Sequence, residues 1–330
     1  MLEYFVSGAA FGAALTATGM YQPGVIQAQM RLENWHMVET FLTASGASTL
    51  IVTLCQKLGY INLPPRSYSS LGLFVPLDGN IIGGCLLGIG MTLSGSCPGT
   101  VFAQIGNGVP SGLYTLGGAV LGGLIWSYSL RSVITKLKSK SQYEPLKPED
   151  LTVHGALGTS QAATLVGIEV LFSGVVTTIS ALGLAKTSGL VSPVVGGLLV
   201  AGAQSISILA RRGLLGTSKF FEEVGDCISW VFCGGDECKP KSYNFMVIAS
   251  GIVIGALGVS SAMPLAHPAP SIPIEPVKFV LGGVLLVLGS MIGGGCTSGH
   301  GISGISLLSV SSFVSVGAMF AGALGTAALV

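Results

Sequence analysis

The sequence predicts an all-α polytopic membrane protein with nine transmembrane helices and four re-entrant half-helices, arranged as two inverted repeats. Three observations predict it. Half of the residues are hydrophobic and 9% are charged, against about 25% charged in an ordinary soluble domain. Fifty glycines lie mostly inside apolar runs, with no Gly-X-Y period; that is the composition of helices packed closely in lipid. One motif is also written twice. Residues 83–97 read GGCLLGIGMTLSGSC and residues 282–296 read GGVLLVLGSMIGGGC. A constant offset of 199 aligns them without a gap, with seven of fifteen positions identical, Gly95/Gly294 and Cys97/Cys296 among them.

The spans follow from apolar runs of membrane-crossing length. They are expected at 3–19, 38–58, 79–96, 110–130, 161–184, 191–210, 244–263, 277–295 and 309–330. The first carries Glu3 and no basic stretch, so it reads as a retained span and not as a cleaved leader. Four glycine-punctuated segments are too short to cross: 19–30, 98–108, 213–225 and 297–308. Each reads as a re-entrant half-helix, since irregular backbone within a bilayer must be surrounded by protein or a polar cavity.

Lys and Arg give the sidedness. Arg131, Lys136, Lys138, Lys140 and Lys147 follow the fourth span and place residues 131–160 in the cytoplasm. Threading from there puts the N-terminus inside and the C-terminus outside. Lys57, Arg66, Arg211, Arg212, Lys219, Lys239 and Lys241 also fall inside, so twelve basic residues face the cytoplasm against Arg31, Lys186 and Lys278 outside. The chain is then a single transmembrane domain over 1–330. Its first repeat is 3–130 and its linking span is 161–184. Its second repeat, 191–330, is inverted by that odd span. Gly118 and Gly123 align with Gly317 and Gly322 at the same offset, while Gly19 matches Gly213 at a different one.

The two lone thiols stand at predicted helix breaks. Pro98 lacks an N–H and suits the first position of a new helix, so the chain breaks at Cys97 and restarts. Gly293, Gly294 and Gly295 loosen the backbone before Cys296, and Thr297 or Ser298 can cap the next turn. Each thiol is therefore expected near a helix N-terminus, where free N–H groups and a partial positive charge attract anions. A buried free cysteine is often only a small hydrophobe. Two at equivalent repeat positions point instead to a shared pathway, with Gly95, Gly294, Gly295 and Thr297 beside it.

The duplicated G-x-C element, above all GGGCTSGHG, resembles the YeeE/YedE sulphur-transport family of membrane proteins. GMYQPGVI is similar to that family's first half-helix and LGTSKFFEEVG to its third, so the resemblance covers nearly the whole chain. It implies nine spans, four half-helices, a cavity on each face and uptake of thiosulfate past cysteines at the constriction, here Cys97 and Cys296. It also implies a further cysteine near the first half-helix, where this chain carries Met20, Tyr21 and Gln22. The expected function is therefore a transporter or channel for a small inorganic sulphur anion, most simply thiosulfate. The thiols would hand the ion across by weak S–H hydrogen bonds, loose enough to let it leave. The handover needs the neutral thiol, which an apolar setting favours.

Other polar groups have plainer readings beside functional ones. His300, four residues after Cys296, is a candidate donor or proton carrier, and more simply a polar residue settled in a turn. Gln22 and Gln104 are candidates to line the route or to satisfy local backbone. Glu169 lies inside a span but two turns from its end and outside both repeats, which suits interfacial pairing or snorkelling. Arg211 and Arg212 mark a boundary. Cys55 and Cys85 read as packing. Cys227, Cys233 and Cys238 form C-x5-C-x4-C, in which only the Cys233–Cys238 pair fits a zinc spacing and no histidine is near, so a metal or redox role is the lesser reading. No metal and no cofactor is expected. The net charge of +1 offers no footprint for nucleic acid. The bilayer is the one large partner implied, and no motif identifies a downstream sulphur-handling protein. The runner-up is a membrane sulfurtransferase-like enzyme with Cys97 or Cys296 as nucleophile. It would need a base nearby, for which only His300 is placed, and it leaves the duplication unexplained.

Overall fold

A computed structural model describes every residue except 140–145, 234–239, 241, 264–272, 274 and 330. Lys140, Cys238, Lys239, Lys241 and His267, with most of the proline-rich 264–276 loop, lie outside the described residues. Among those described, the chain is helical and has no strand, only an isolated bridge between Thr152 and Ser309.

A helix occupies each of the nine segments read as spans. They are α1 (Leu2–Ala17), α3 (His36–Lys57), α4 (Asp78–Ser94), α6 (Pro110–Ile125), α9 (Gln161–Ala181), α10 (Pro193–Arg211), α12 (Asn244–Ala262), α13 (Pro276–Ile292) and α14 (Val310–Ala327). Among the described residues six helical stretches are long and apolar enough to cross a membrane: His36–Lys57, Pro110–Leu137, Gln161–Ala181, Pro193–Arg211, Asn244–Ala262 and Val310–Ala327. Leu2–Ala17 and Pro276–Ile292 are apolar but shorter. The short elements are α2 (Pro23–Met30), α5 (Thr100–Gly106), α7 (Arg131–Ser139), α8 (Val153–Ala156), α11 (Lys219–Cys233) and a π-helix at Ser298–Gly304.

Three boundaries differ from the sequence reading. The fourth span does not stop at residue 130. A π-turn at Trp126–Leu130 carries the helix on into α7. Arg131 there pairs with Glu222 at 2.9 Å and Asp226 at 3.0 Å on α11, and Ile134 joins Trp126, Leu71 and Ile292 in a small apolar cluster. The third half-helix starts later and runs further than 213–225, because Leu215 is held out of it. Its N–H donates to Gln204 Oε1 at 3.0 Å and its carbonyl accepts from Ser303 Oγ at 2.5 Å. The fourth is a π-helix, not an α-helix. Gly301 faces the Phe41 ring, where a side chain would collide, and its carbonyl accepts from Ser45 Oγ at 2.9 Å.

The packing follows a reciprocal scheme. Helix α1 lies on α12 and α10 lies on α3; α14 lies on α4 and α6 on α13; α4 crosses α13 and α1 crosses α10. Of the short elements, α5 packs on α12 and α6, and the π-helix on α3 and α14. Glycine makes the α4–α13 crossing close. A methyl on Gly83 would sit 2.6 Å from the Gly289 carbonyl oxygen, and one on Gly90 2.7 Å from that of Gly282. Backbones this near gain dispersion contact that larger residues would forbid. Phe102 of α5 meets Phe220 and Phe221 of α11, with ring centroids 4.7 and 5.7 Å apart. This aromatic cluster ties α5 to α11, more than 100 residues further along the chain.

Candidate functional site

The first break lies between α4 and α5. Helix α4 ends at Gly95, whose φ of 56° is the left-handed cap conformation that favours glycine. The Gly95 carbonyl accepts from Gln104 Nε2 at 3.0 Å, so α5 is tied back to the end of α4. Pro23, which opens α2, packs on Gly95. Two residues on, Cys97 and Thr100 bond reciprocally. The Cys97 N–H donates to Thr100 Oγ1 at 2.7 Å, and the Thr100 N–H donates to Cys97 Sγ at 3.4 Å. This is the geometry of a capping box with a thiol in the capping position. The Val101 N–H donates to the Cys97 carbonyl at 3.1 Å, which starts the helix there.

The second break lies between α13 and the π-helix. Gly294 is again left-handed, with φ 78°. Its carbonyl, equivalent to that of Gly95, accepts from Arg66 Nη2 at 2.7 Å. The Cys296 carbonyl accepts from the His300 N–H at 2.8 Å. The buried Cys296 sulfur lies 3.3 Å from Ser298 Oγ and 3.5 Å from Thr217 Oγ1. Thr217 also faces the first break, since a methyl on Gly99 would be 3.4 Å from Thr217 Oγ1. Thr217 thus stands beside the breaks of both thiols, Cys97 and Cys296. Both are buried and free of disulfides. Such an arrangement offers an ion hydroxyls, thiols and one guanidinium, all directional donors and none a fixed carboxylate.

The remaining predicted residues sit around this centre in varied roles. Thr297 turns away, with its hydroxyl against the sulfurs of Met91 at 3.5 Å and Met319 at 3.4 Å. His300 is buried, with Nδ1 on Ser312 Oγ at 3.0 Å and Nε2 on the Gly293 carbonyl at 3.1 Å. Gln22 donates to the Ser188 carbonyl. Gln104 Oε1 is buried without a hydrogen-bond partner among the described residues. Gly295 has no space for a side chain between Arg66 and His300. Glu169 packs against Gly46, away from both breaks, and its Oε1 also finds no partner among the described residues. Among the described residues no group of three His, Cys, Asp or Glu side chains could hold a metal ion.

Sequence reasoning missed Arg66, Thr217, Thr100 and Ser298 as neighbours of the thiols. Arg66 was absorbed by the count of boundary charges. Thr217, in the lead-in to α11, carried no signal, because its partner Cys296 is 79 residues away. Thr100, three residues after Cys97, could have been found from the capping-box spacing.

Six apolar helical stretches of membrane-crossing length among the described residues are those of a multi-pass integral membrane protein. The chain belongs to the sulphur-transport family, whose sequence model matches residues 17–325. It is similar to the thiosulfate transporter TsuA of Spirochaeta thermophila, with 26% identity over 288 residues, covering 80% of this chain and 79% of that one. It also resembles a probable transporter of Xylella fastidiosa strain 9a5c and another of strain Temecula1. Each is 27% identical over 135 residues, which is 41% of this chain and 90% of the relative.

Proposed function

We propose that this protein moves a small sulphur-containing anion, thiosulfate foremost, through a constriction lined by the Cys97 and Cys296 thiols. One observation carries the reading. Two cysteines at equivalent repeat positions, 199 residues apart, each sit buried at a left-handed glycine break, and Thr217 packs beside both breaks. The relative named a thiosulfate transporter supports the choice of ion.

In this reading the chain is one transmembrane domain of nine spans and four half-helices. Repeats 3–130 and 191–330 are related by a twofold axis in the membrane plane, and the basic 131–160 segment lies in the cytoplasm. Reciprocal contacts support the axis. At the 199 offset Gly83 corresponds to Gly282 and Gly90 to Gly289, so the Gly83–Gly289 approach maps onto Gly282–Gly90. Gly84 against Ala318 likewise maps onto Gly283 against Ala119. The N-terminus is then cytoplasmic and the C-terminus outside.

The ion sheds water progressively to backbone N–H groups, hydroxyls and thiols. A neutral S–H is a weak donor, so neither thiol traps the ion, and the paired sites pass it on. No cofactor takes part. The enzyme alternative lacks its base, because both ring nitrogens of His300 are engaged by Ser312 and Gly293 and not by a thiol.

The test is uptake of radiolabelled thiosulfate into proteoliposomes by the wild type, Cys97→Ser and Cys296→Ser. Saturable flux in the wild type that falls at least about tenfold in both variants, a loss of about 1.4 kcal/mol, is the expected result. Unchanged flux in both variants overturns the handover. A persulfide on either cysteine without flux overturns transport in favour of sulfur transfer.

A further inference from the structure

Arg66 brings a guanidinium into the second break. Its backbone is pinned to the start of α14: the N–H donates to Ser309 Oγ at 2.8 Å and the carbonyl accepts from Ser311 Oγ at 3.2 Å. The side chain reaches inward. Nη1 donates to the Gly299 carbonyl at 2.8 Å and Nη2 to the Gly294 carbonyl at 2.7 Å. Missing side chains make the slot. A methyl would lie 2.6 Å from Nη2 if placed on Gly295, 3.2 Å from Nη1 on Gly299, and 2.8 Å from Cδ on Gly304.

Among the described residues the charge in that slot has no carboxylate counter-ion. Among the described residues the ion pairs within 4.0 Å belong to Arg131 and Lys147, and none to Arg66. A methyl on Gly299 would lie 3.2 Å from Arg66 Nη1 and 3.7 Å from Cys296 Sγ, so guanidinium and thiol flank the same glycine. Two carbonyls occupy two of the five N–H donors of a guanidinium and leave its charge intact. Gly294 is exposed and Arg66 only partly buried, so an ion from outside the protein reaches this end of the break. A planar fork with spare donors matches a tetrahedral oxyanion better than a point charge does. The first break has no counterpart, because the equivalent carbonyl of Gly95 is held by the neutral amide of Gln104.

We propose that Arg66 is an anion-binding residue at the mouth leading to Cys296. Its spare N–H groups hold the oxygens of a sulphur oxyanion while the terminal sulfur faces the thiol. This rests on the transport reading and names the residue that gives the site its charge selectivity.

The experiment uses the purified full chain in detergent and in proteoliposomes, as wild type, Arg66→Lys and Arg66→Gln. The probes are sodium thiosulfate and sodium chloride at matched ionic strength. Thiosulfate is expected to raise the wild-type unfolding midpoint above the chloride value. Arg66→Gln is expected to lose that rise and to raise the half-saturating thiosulfate concentration for flux at least tenfold. Arg66→Lys is expected to keep part of both. If Arg66→Gln does not fold, the wild type still decides. Thiosulfate, and not chloride, is expected to slow phenylglyoxal modification of Arg66, mapped by mass spectrometry, and equal rates in the two salts overturn the proposal. A thiosulfate shift fully retained in folded Arg66→Gln overturns it while transport stands. A shift present in the wild type, lost in Arg66→Gln and unaccompanied by flux supports the anion site and overturns transport. Equal midpoints in the two salts for the wild type also overturn the anion site.

Discussion

Thr217 Oγ1 lies 3.5 Å from Cys296 Sγ and packs beside Gly99, so one hydroxyl touches both helix breaks. Thr217→Val keeps the shape and removes the hydroxyl. Losing a net hydrogen bond of about 1 kcal/mol corresponds to about fivefold in rate or affinity. Thiosulfate flux is expected to fall by about that factor in Thr217→Val and to stay near wild type in Thr217→Ser. Equal flux in both variants would remove Thr217 from the site.

The repeat offset pairs Gly118 with Gly317, but their surroundings differ. Gly118 faces the Val280 backbone with no room for a methyl, whereas Gly317 has nothing within 4 Å. Gly118→Ala is expected to cost about 1–3 kcal/mol by overpacking and to lower the thermal midpoint. Gly317→Ala is expected to leave it unchanged or slightly raised. Matching midpoints for the two variants would contradict the packing described for α6 on α13.

Asn80 anchors the segment that carries Arg66. Its Oδ1 accepts from the Ser69 N–H at 2.7 Å, and its Nδ2 donates to the Gly293 carbonyl at 3.0 Å and to Ser315 Oγ at 2.8 Å. Asn80→Ala strands these buried groups, at about 1–3 kcal/mol for an unsatisfied partner. Stability and flux are expected to fall together. A variant with wild-type midpoint and flux would show that the segment is held by other means, such as the Asp78 carboxylate, which accepts from the N–H groups of Leu71 at 2.5 Å and Leu73 at 2.6 Å.

Arg131 pairs with Glu222 and Asp226, but the three side chains are 39%, 38% and 23% exposed. Pairs this exposed contribute about 0–1 kcal/mol. Arg131→Ala is therefore expected to shift the midpoint only slightly, and less at high salt. A large loss would mean that α7 and α11 depend on that contact for docking.

The helices were legible because an apolar run has one stable form in lipid, and the structure places a helix at each of the nine segments, six of the helical stretches among the described residues being long and apolar enough to cross. The two breaks were legible from Pro98 and from the glycines before Cys296, and the duplication singled out the thiols. The wall around them was not. Arg66 reads as an ordinary interfacial cation until the chain brings it against Gly294 and Gly299, more than 200 residues away. The π-helix at Ser298–Gly304 was equally hidden. Glycine-rich sequence permits several helical forms, and the choice falls to Phe41 and Ser45 from α3.

The crossed docking of α1 on α12 and α10 on α3, with Phe102 clasped between Phe220 and Phe221, has a consequence for biogenesis. Helix α1 lacks α12 until the last third of the chain has been made and until then has α10 as its neighbour, whereas α3 is in place before α10 emerges. A nascent chain halted before residue 244 would hold α1 without α12, its glycine face open to lipid. Final docking of α1 must therefore await synthesis of the carboxyl-terminal stretch.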